Sequence, residues 1–202
     1  MAPTITTNRL VLELCPGADS SFWAAYVSIR ADPAWQQQVW HQTFPPEDLR
    51  EACAKNLGLV EKRGYGLWAI SKRRDEAGKC SSAEQKVEWV VWVGYRNRDD
   101  MAPRPSREHP PPNTLEVYIG LAREYWGHGY GTEALQGLVD DAFRENRINT
   151  RLTACILEDN PASEKCFASA GFVKTTEDLW YEDEGVYWVL DRDGWERNRN
   201  LL

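Results

Sequence analysis

The chain has 202 residues and a mass of 23.2 kDa, enough for one domain and tight for two. A hydrophobic fraction of 42 % with 10 Trp allows a real core, and with charged and aromatic fractions of 27 % and 11 % disorder is not the default reading. With 24 Lys+Arg against 31 Asp+Glu the net charge is −7, which argues against nucleic-acid binding and fits a cationic partner only weakly, because acidity more often serves solubility. Cys15, Cys53, Cys80, Cys155 and Cys166 are odd in number and show no CxxC spacing; His41, His109 and His128 cannot complete a zinc pattern with them. No metal site is therefore expected, and free thiols in a reducing compartment are, with Cys155 and Cys166 as small core hydrophobes. The opening MAPTITTNRLVLELC is no signal peptide, and no apolar run reaches membrane-spanning length, so no membrane partner and a cytoplasmic location are expected.

In chain order, the alternating RLVLELC at 9–15 predicts a first strand. Asp19-Ser20-Ser21 offers an N-cap for a helix through about Arg30. Ala34–Trp40 and Pro46–Lys62 read as a second helical region, interrupted at Phe44-Pro45-Pro46 and ended by Gly64-Tyr65-Gly66. Strands follow at Leu67–Lys72 and Val87–Tyr95, joined by a polar linker over 73–86. Residues 97–113 hold five Pro and no apolar period, either an inert spacer or a loop near the substrate. A strand at 115–121 runs into a Gly-rich turn at 126–131, and a helix from Thr132 to about Arg144 carries apolar residues at i, i+3, i+4 spacing. RLTACIL at 151–157 is a strand, Asn160-Pro161 opens a helix that ends at Gly171, and Phe172–Thr175 and Gly185–Leu190 close the chain as strands. This order predicts a single α/β domain over 1–202, in three α/β/α layers around a central mixed, mostly antiparallel sheet.

Trp126-Gly127-His128-Gly129-Tyr130-Gly131-Thr132 leaves a strand and enters an amphipathic helix. Alternate glycines let backbone N–H groups converge on a bulky anion, and the helix N-terminus adds its positive end. The chemistry implied is diphosphate binding. A Walker A loop lacks its Lys here, and Thr132 stands where a Rossmann fingerprint needs its third Gly. A coenzyme A pyrophosphate loop remains, beside a Gly-rich turn with no ligand.

EVYIGLAREYWGHGYGTEAL, 116–135, resembles motif A of the GNAT superfamily of N-acetyltransferases, in particular the RimJ/RimL-like branch of ribosomal-protein and small-amine enzymes. Glu116, Leu121, Tyr125, Trp126, Gly127, Gly129, Tyr130, Thr132, Glu133 and Ala134 carry the match. LEDNPASEKCFASAGF, 157–172, resembles motif B through Asn160, Ser163, Gly171 and Phe172. Thr7–Leu12 resembles the family's first strand, and 186–198 its last strand and short tail. Residues 30–110 match loosely, and 97–113 looks like an insertion.

The resemblance implies acetyl-CoA as co-substrate and a primary amine as acceptor, on a small molecule or a protein N-terminus, attacked directly in a ternary complex. It assigns pairing with the pantetheine arm to the backbone of Ile119, Gly120 and Leu121. The pyrophosphate cradle falls on Trp126, Gly127, His128, Gly129, Tyr130, Gly131 and Thr132, and Asn160 orients the arm. Phe167 stands where many relatives carry a Tyr that protonates the leaving thiolate. Phe167 has no proton to give, so Ser163, one turn earlier, is the candidate donor. Glu116 is the candidate base for the amine, its other reading being structural. His128 is at most an electrostatic helper, and Glu133 a first-turn residue favoured by the helix dipole. Trp40 and Phe44 lie where relatives build the acceptor cleft, as a wall or as core. The alternative function is a non-catalytic acyl-CoA-binding module, favoured by Phe167 alone. Homodimerisation is left open.

Overall fold

A computed structural model describes residues 3–40, 64–73, 87–96, 114–145, 151–176 and 185–199, and Pro45, Lys55, Val60 and Lys62 between them. Phe44, the 97–113 loop and most of the 73–86 linker lie outside these residues.

Eight strands form one sheet in the order β1-β2-β3-β4-β5-β6-β8-β7. They are β1 (Thr4–Thr6), β2 (Leu10–Leu14), β3 (Leu67–Lys72), β4 (Trp89–Arg96), β5 (Thr114–Leu121), β6 (Arg151–Leu157), β7 (Val173–Thr175) and β8 (Gly185–Asp191). Every neighbouring pair is antiparallel except β5–β6. This is the mixed, mostly antiparallel sheet the sequence predicts.

Period-two alternation gives the sheet two apolar faces. Leu10, Leu12, Leu14, Trp68, Ile70, Leu115, Val117, Leu152, Ala154 and Ile156 face a large core closed by helix α3 (Tyr130–Arg144). Leu135, Leu138 and Phe143 on that helix are fully buried, each worth on the order of 2 kcal/mol. The buried Tyr95 hydroxyl donates to the Leu138 carbonyl at 2.6 Å, tying β4 to the helix. On the opposite face Leu67, Ala69 and Trp92 pack against Phe22, Trp23 and Tyr26 of α1 (Ser21–Arg30) and Trp35 of α2 (Pro33–Trp40). The Ser20 side chain caps α1 by accepting from Phe22 N–H.

Helix α4 (Pro161–Ser169) packs beside α3, with Asn160 Oδ1 accepting from Ser163 N–H at 3.1 Å and Pro161 in the first turn. A last helix, α5 (Arg192–Arg199), follows β8 directly; the sequence reads there only as a short tail. Asp191 accepts from the N–H of Gly194 at 2.7 Å and so starts it, although Gly194 itself disfavours helix. No described helix is long and apolar enough to cross a membrane.

Candidate functional site

The parallel pairing of β5 with β6 lasts only from Thr114, Leu115 and Glu116 opposite Arg151, Leu152 and Thr153. Beyond it β5 stays with β4 as far as Leu121, while β6 stays with β8. A wedge therefore opens between β5 and β6 from Val117 onward. Ala122 N–H donates to Val90 O at 3.0 Å, which sets the parity of β5. Even-numbered residues aim their N–H and C=O at β4, and odd-numbered ones aim theirs into the wedge. The arm-pairing expected of Ile119, Gly120 and Leu121 thus rests on Ile119 and Leu121. Gly120 turns its amide to β4, and a Cβ there would lie 2.2 Å from the Trp92 indole, which occupies that space. The Leu121 carbonyl accepts from Trp35 Nε1 and Trp126 Nε1, both at 2.9 Å. Beyond Val117, what the strand offers the wedge is the N–H and C=O of Ile119 and the N–H of Leu121.

The glycine turn continues from the wedge. Gly127 and Gly129 adopt φ of 76° and 78°, the left-handed region closed to most side chains. A Cβ at Gly127 would meet nothing within 4 Å, so this glycine is needed for its backbone and not for packing room. Gly129 is the N-cap of α3 and provides no side-chain cap bond. The first-turn N–H groups of α3 are left for another acceptor, at the positive end of a 15-residue helix. Wedge and turn share one cleft of about 330 Å³. Ile119, Gly120, Leu121, Trp126, Gly127, Gly129, Gly131, Thr132, Asn160 and Ser163 line it, so the structure brings these expected residues together. A cleft joining an open strand edge to a glycine turn at a helix N-terminus fits an elongated ligand with amides along one part and a diphosphate at the other.

Four expected residues are placed differently. Phe167 is 3 % exposed and packs edge-on against Phe172, with ring centroids 5.1 Å apart. It belongs to the core and does not line the cleft, because the face of α4 that does carries Ser163 and Cys166, three residues apart. The His128 side chain is exposed, its Nδ1 bonded to the Trp126 carbonyl at 2.8 Å, and its ring lies along that of Tyr130. Tyr130 turns its own ring toward the Arg9 guanidinium, 4.5 Å from the ring centre, and neither His128 nor Tyr130 is among the cleft-lining residues. Glu116 is 2 % exposed, and both its oxygens accept from Arg96, Oε1 at 2.7 Å from Nη2. It sits opposite Thr153 at the closed end of the wedge and outside the cleft lining. That geometry favours the structural reading of Glu116, with a guanidinium as its partner.

The sequence missed several lining residues. Trp35 reaches across from α2, and Tyr125 lines the cleft while donating to Glu88 at 2.9 Å. Lys165 is the one charged side chain among the described lining residues. Cys166, expected as a core hydrophobe, is half-buried in the cleft wall and accepts from Thr132 Oγ1 at 3.6 Å. Burial pushes its thiol up, against the pull of that hydrogen bond. Glu133 faces away from the chemistry: it accepts from Thr7 Oγ1 and from the Arg9 backbone and side chain, each at 2.6 Å. Burial raises its carboxyl, but the bonds from Thr7 and Arg9 outweigh burial and hold it below the usual carboxylate range. The matching signals, Thr7, Arg9 and Glu133, are in the sequence but lie too far apart for any local pattern to join them.

Residues 9–173 match the family model described as the acetyltransferase (GNAT) domain. The chain belongs to the GNAT acetyltransferase family. Membership makes it an acyltransferase, with acetyl-CoA, the family's acetyl donor, as co-substrate. Solved structures share the fold. RimL, the ribosomal L7/L12 alpha-N-protein acetyltransferase in complex with coenzyme A, is similar at TM-score 0.66 and 19 % identity, over 95 % of this chain and 99 % of that one. An acetyltransferase from Agrobacterium tumefaciens is similar at TM-score 0.69 and 20 % identity, over 94 % and 95 %. Aminoglycoside acetyltransferase AAC(6')-Ib with coenzyme A and kanamycin is similar at TM-score 0.66 and 17 % identity, over 94 % and 98 %. At these identities the likeness is one of fold, which includes the RimL-type arrangement the sequence resembles.

Proposed function

We propose that this GNAT enzyme moves the acetyl group of acetyl-CoA to a primary amine, on a small molecule or a protein N-terminus, by direct attack in a ternary complex. The observation that carries the reading is the single cleft running from the open edge of β5 to the left-handed turn and the start of α3. Acetyl-CoA supplies the activated thioester. The chain's own part is to bind and orient it. The turn and the first N–H groups of α3 take the diphosphate, and Lys165 adds a positive charge at the cleft wall. Ile119 and Leu121 pair with the amides of the arm. Asn160 spends its Oδ1 on the helix cap, which leaves its NH₂ to serve an oxygen of the arm. A backbone N–H facing the wedge polarises the thioester carbonyl, and the Ser163 hydroxyl stands by for the departing sulfur.

Direct attack is favoured over an acylated enzyme because burial pushes up the thiol of Cys166, the one cysteine among the described lining residues, and so disfavours its thiolate. The proton of the attacking amine leaves to water at the open side of the wedge, and Glu116 fixes Arg96 at its closed end. Amine acceptors also agree with the names of two similar proteins, an alpha-N-protein and an aminoglycoside acetyltransferase.

The test is thiol release from acetyl-CoA across a panel of polyamines, amino sugars, amino acids and peptides, run beside a CoA thermal-shift titration. Acceptor-dependent release is expected. Coenzyme binding with no release above the acceptor-free rate on any amine would favour the non-catalytic acyl-CoA-binding reading.

A further inference from the structure

We propose that Arg9, which lies outside the cleft, is a positioning residue for the coenzyme diphosphate. Resting on the binding of acetyl-CoA in the cleft, the proposal concerns how the glycine turn keeps its binding shape. The Thr7-Asn8-Arg9 turn between β1 and β2 lies against that turn. Arg9 Nη1 donates to the His128 carbonyl at 3.0 Å, and Nε donates to Glu133 Oε2 at 2.6 Å. The Arg9 backbone N–H and the Thr7 hydroxyl both donate to Glu133 Oε1, which anchors the guanidinium to the first turn of α3. The Tyr130 ring supports the guanidinium at 4.5 Å, and Nη2 lies 3.4 Å from the point where a Cβ at Gly129 would sit.

The bond to His128 carries the function. A trans peptide is planar, with its C=O and N–H pointing in opposite directions. Holding the His128 carbonyl on the Arg9 side therefore turns the Gly129 N–H to the other side. Gly129 lines the cleft and Arg9 does not, so that other side is the cradle. The peptide is hinged at ψ of His128 and φ of Gly129, and Gly129, at φ 78°, has no side chain to oppose a flip. Without Arg9 the N–H would be free to swing out of the cradle. A lysine cannot replace it, because one ammonium does not span Glu133, the His128 carbonyl and the Tyr130 face as the planar fork does.

The experiment measures Kd for CoA and for pantetheine, which has the arm without the diphosphate, by tryptophan fluorescence on wild type, Arg9→Lys, Arg9→Ala and Thr7→Val. Both Arg9 variants are expected to weaken CoA by about tenfold, the size of one lost hydrogen bond to a charged group, and to leave pantetheine unchanged. Arg9→Lys keeps the charge and guards against a failure of Arg9→Ala to fold. Thr7→Val, which loosens the anchor but spares the bond to His128, is expected to lower Tm with the CoA-to-pantetheine ratio intact. Hydrogen exchange should show the Gly129 amide losing its CoA-dependent protection in Arg9→Lys. An unchanged CoA affinity in Arg9→Lys, or equal losses for CoA and pantetheine, would overturn the proposal. Wild type that binds neither ligand would remove the coenzyme reading itself, an outcome separable from a failure confined to the Arg9 variants.

Discussion

Glu116→Gln separates two roles that one buried carboxylate could play. Glu116 is 2 % exposed and gives both oxygens to Arg96, whose side chain is 39 % exposed. The amide keeps one acceptor and turns an NH₂ toward the guanidinium, so a charge-assisted bond is replaced by a donor facing a donor. Removing one partner of a fully buried ion pair costs ~3–5 kcal/mol, but the exposed side of Arg96 can rehydrate, which brings the expected loss to ~1–2 kcal/mol. For a chain of this size that lowers Tm by ~2–8 °C. If Glu116 were the base, turnover would fall ~10²–10⁴-fold and recover as pH rises and solvent deprotonates the amine. The expected result is a lower Tm, turnover within about threefold of wild type well below that Tm, and a parallel pH–rate profile. A hundredfold loss at unchanged Tm, rescued at high pH, would refute the structural assignment and make Glu116 the base. Arg96→Met gives a cross-check: it leaves the buried carboxylate alone and should cost more stability than Glu116→Gln.

Gly129→Val should abolish CoA binding while the protein still folds, since a β-branched residue at φ 78° forces the turn out of its cradle shape; a CoA titration checks this, and retained affinity would make the turn structural only. Ser163→Ala should slow turnover less than tenfold, because a thiolate with pKa near ~8.5 leaves without much help; kcat on one good acceptor measures it, and a larger fall would make Ser163 the essential acid. Glu133 has a folded-state pKa held below its unfolded value of ~4.3. Its contribution to stability is therefore full above about pH 4.3 and is lost as pH falls through the folded value. The Tm gap between wild type and Glu133→Gln should be constant near neutrality and narrow as pH falls below about 4.3, and a gap that widens on acidification would count against the stabilising role of the Thr7 and Arg9 bonds to Glu133.

Local signals made most of the elements readable. Ser20 caps α1, Asn160-Pro161 opens α4, and the β6 span Arg151–Leu157 coincides with its alternating run. Helix α3 begins at Tyr130, two residues before Thr132, because a left-handed Gly129 acts as its N-cap and lets the turn pass straight into helix. Strand β1 is three residues with its outer side chains exposed, too short and too polar to carry a period. The glycine turn was legible because its residues are consecutive. The parity of β5 was not, since it depends on which neighbour each amide meets. The difference between Cys166 in the cleft and Phe167 in the core is one step of helical rotation, about 100°. Trp35 and Arg9 reach the site from 86 and 119 residues away, to Leu121 and His128, and no local pattern records such contacts.

Chains only 17–20 % identical share this fold. Along β5 the wedge meets backbone, while the side chains enter the cores on either face of the sheet. In the proposed mode of binding, coenzyme recognition rests mostly on N–H and C=O groups that any residue supplies. The side chains that hold this backbone in place are few: glycine where φ is positive, Asn160 at a helix cap, and Arg9 on the His128 carbonyl. Among the described residues, α2 joins the opposite face of the sheet to the wedge through one bond, from the Trp35 indole to Leu121 O. Trp126 donates to the same carbonyl. The strand end is therefore doubly fixed, from the turn on one side and from α2 on the other. The other side chains of the α1–α2 layer can therefore vary without moving this strand end.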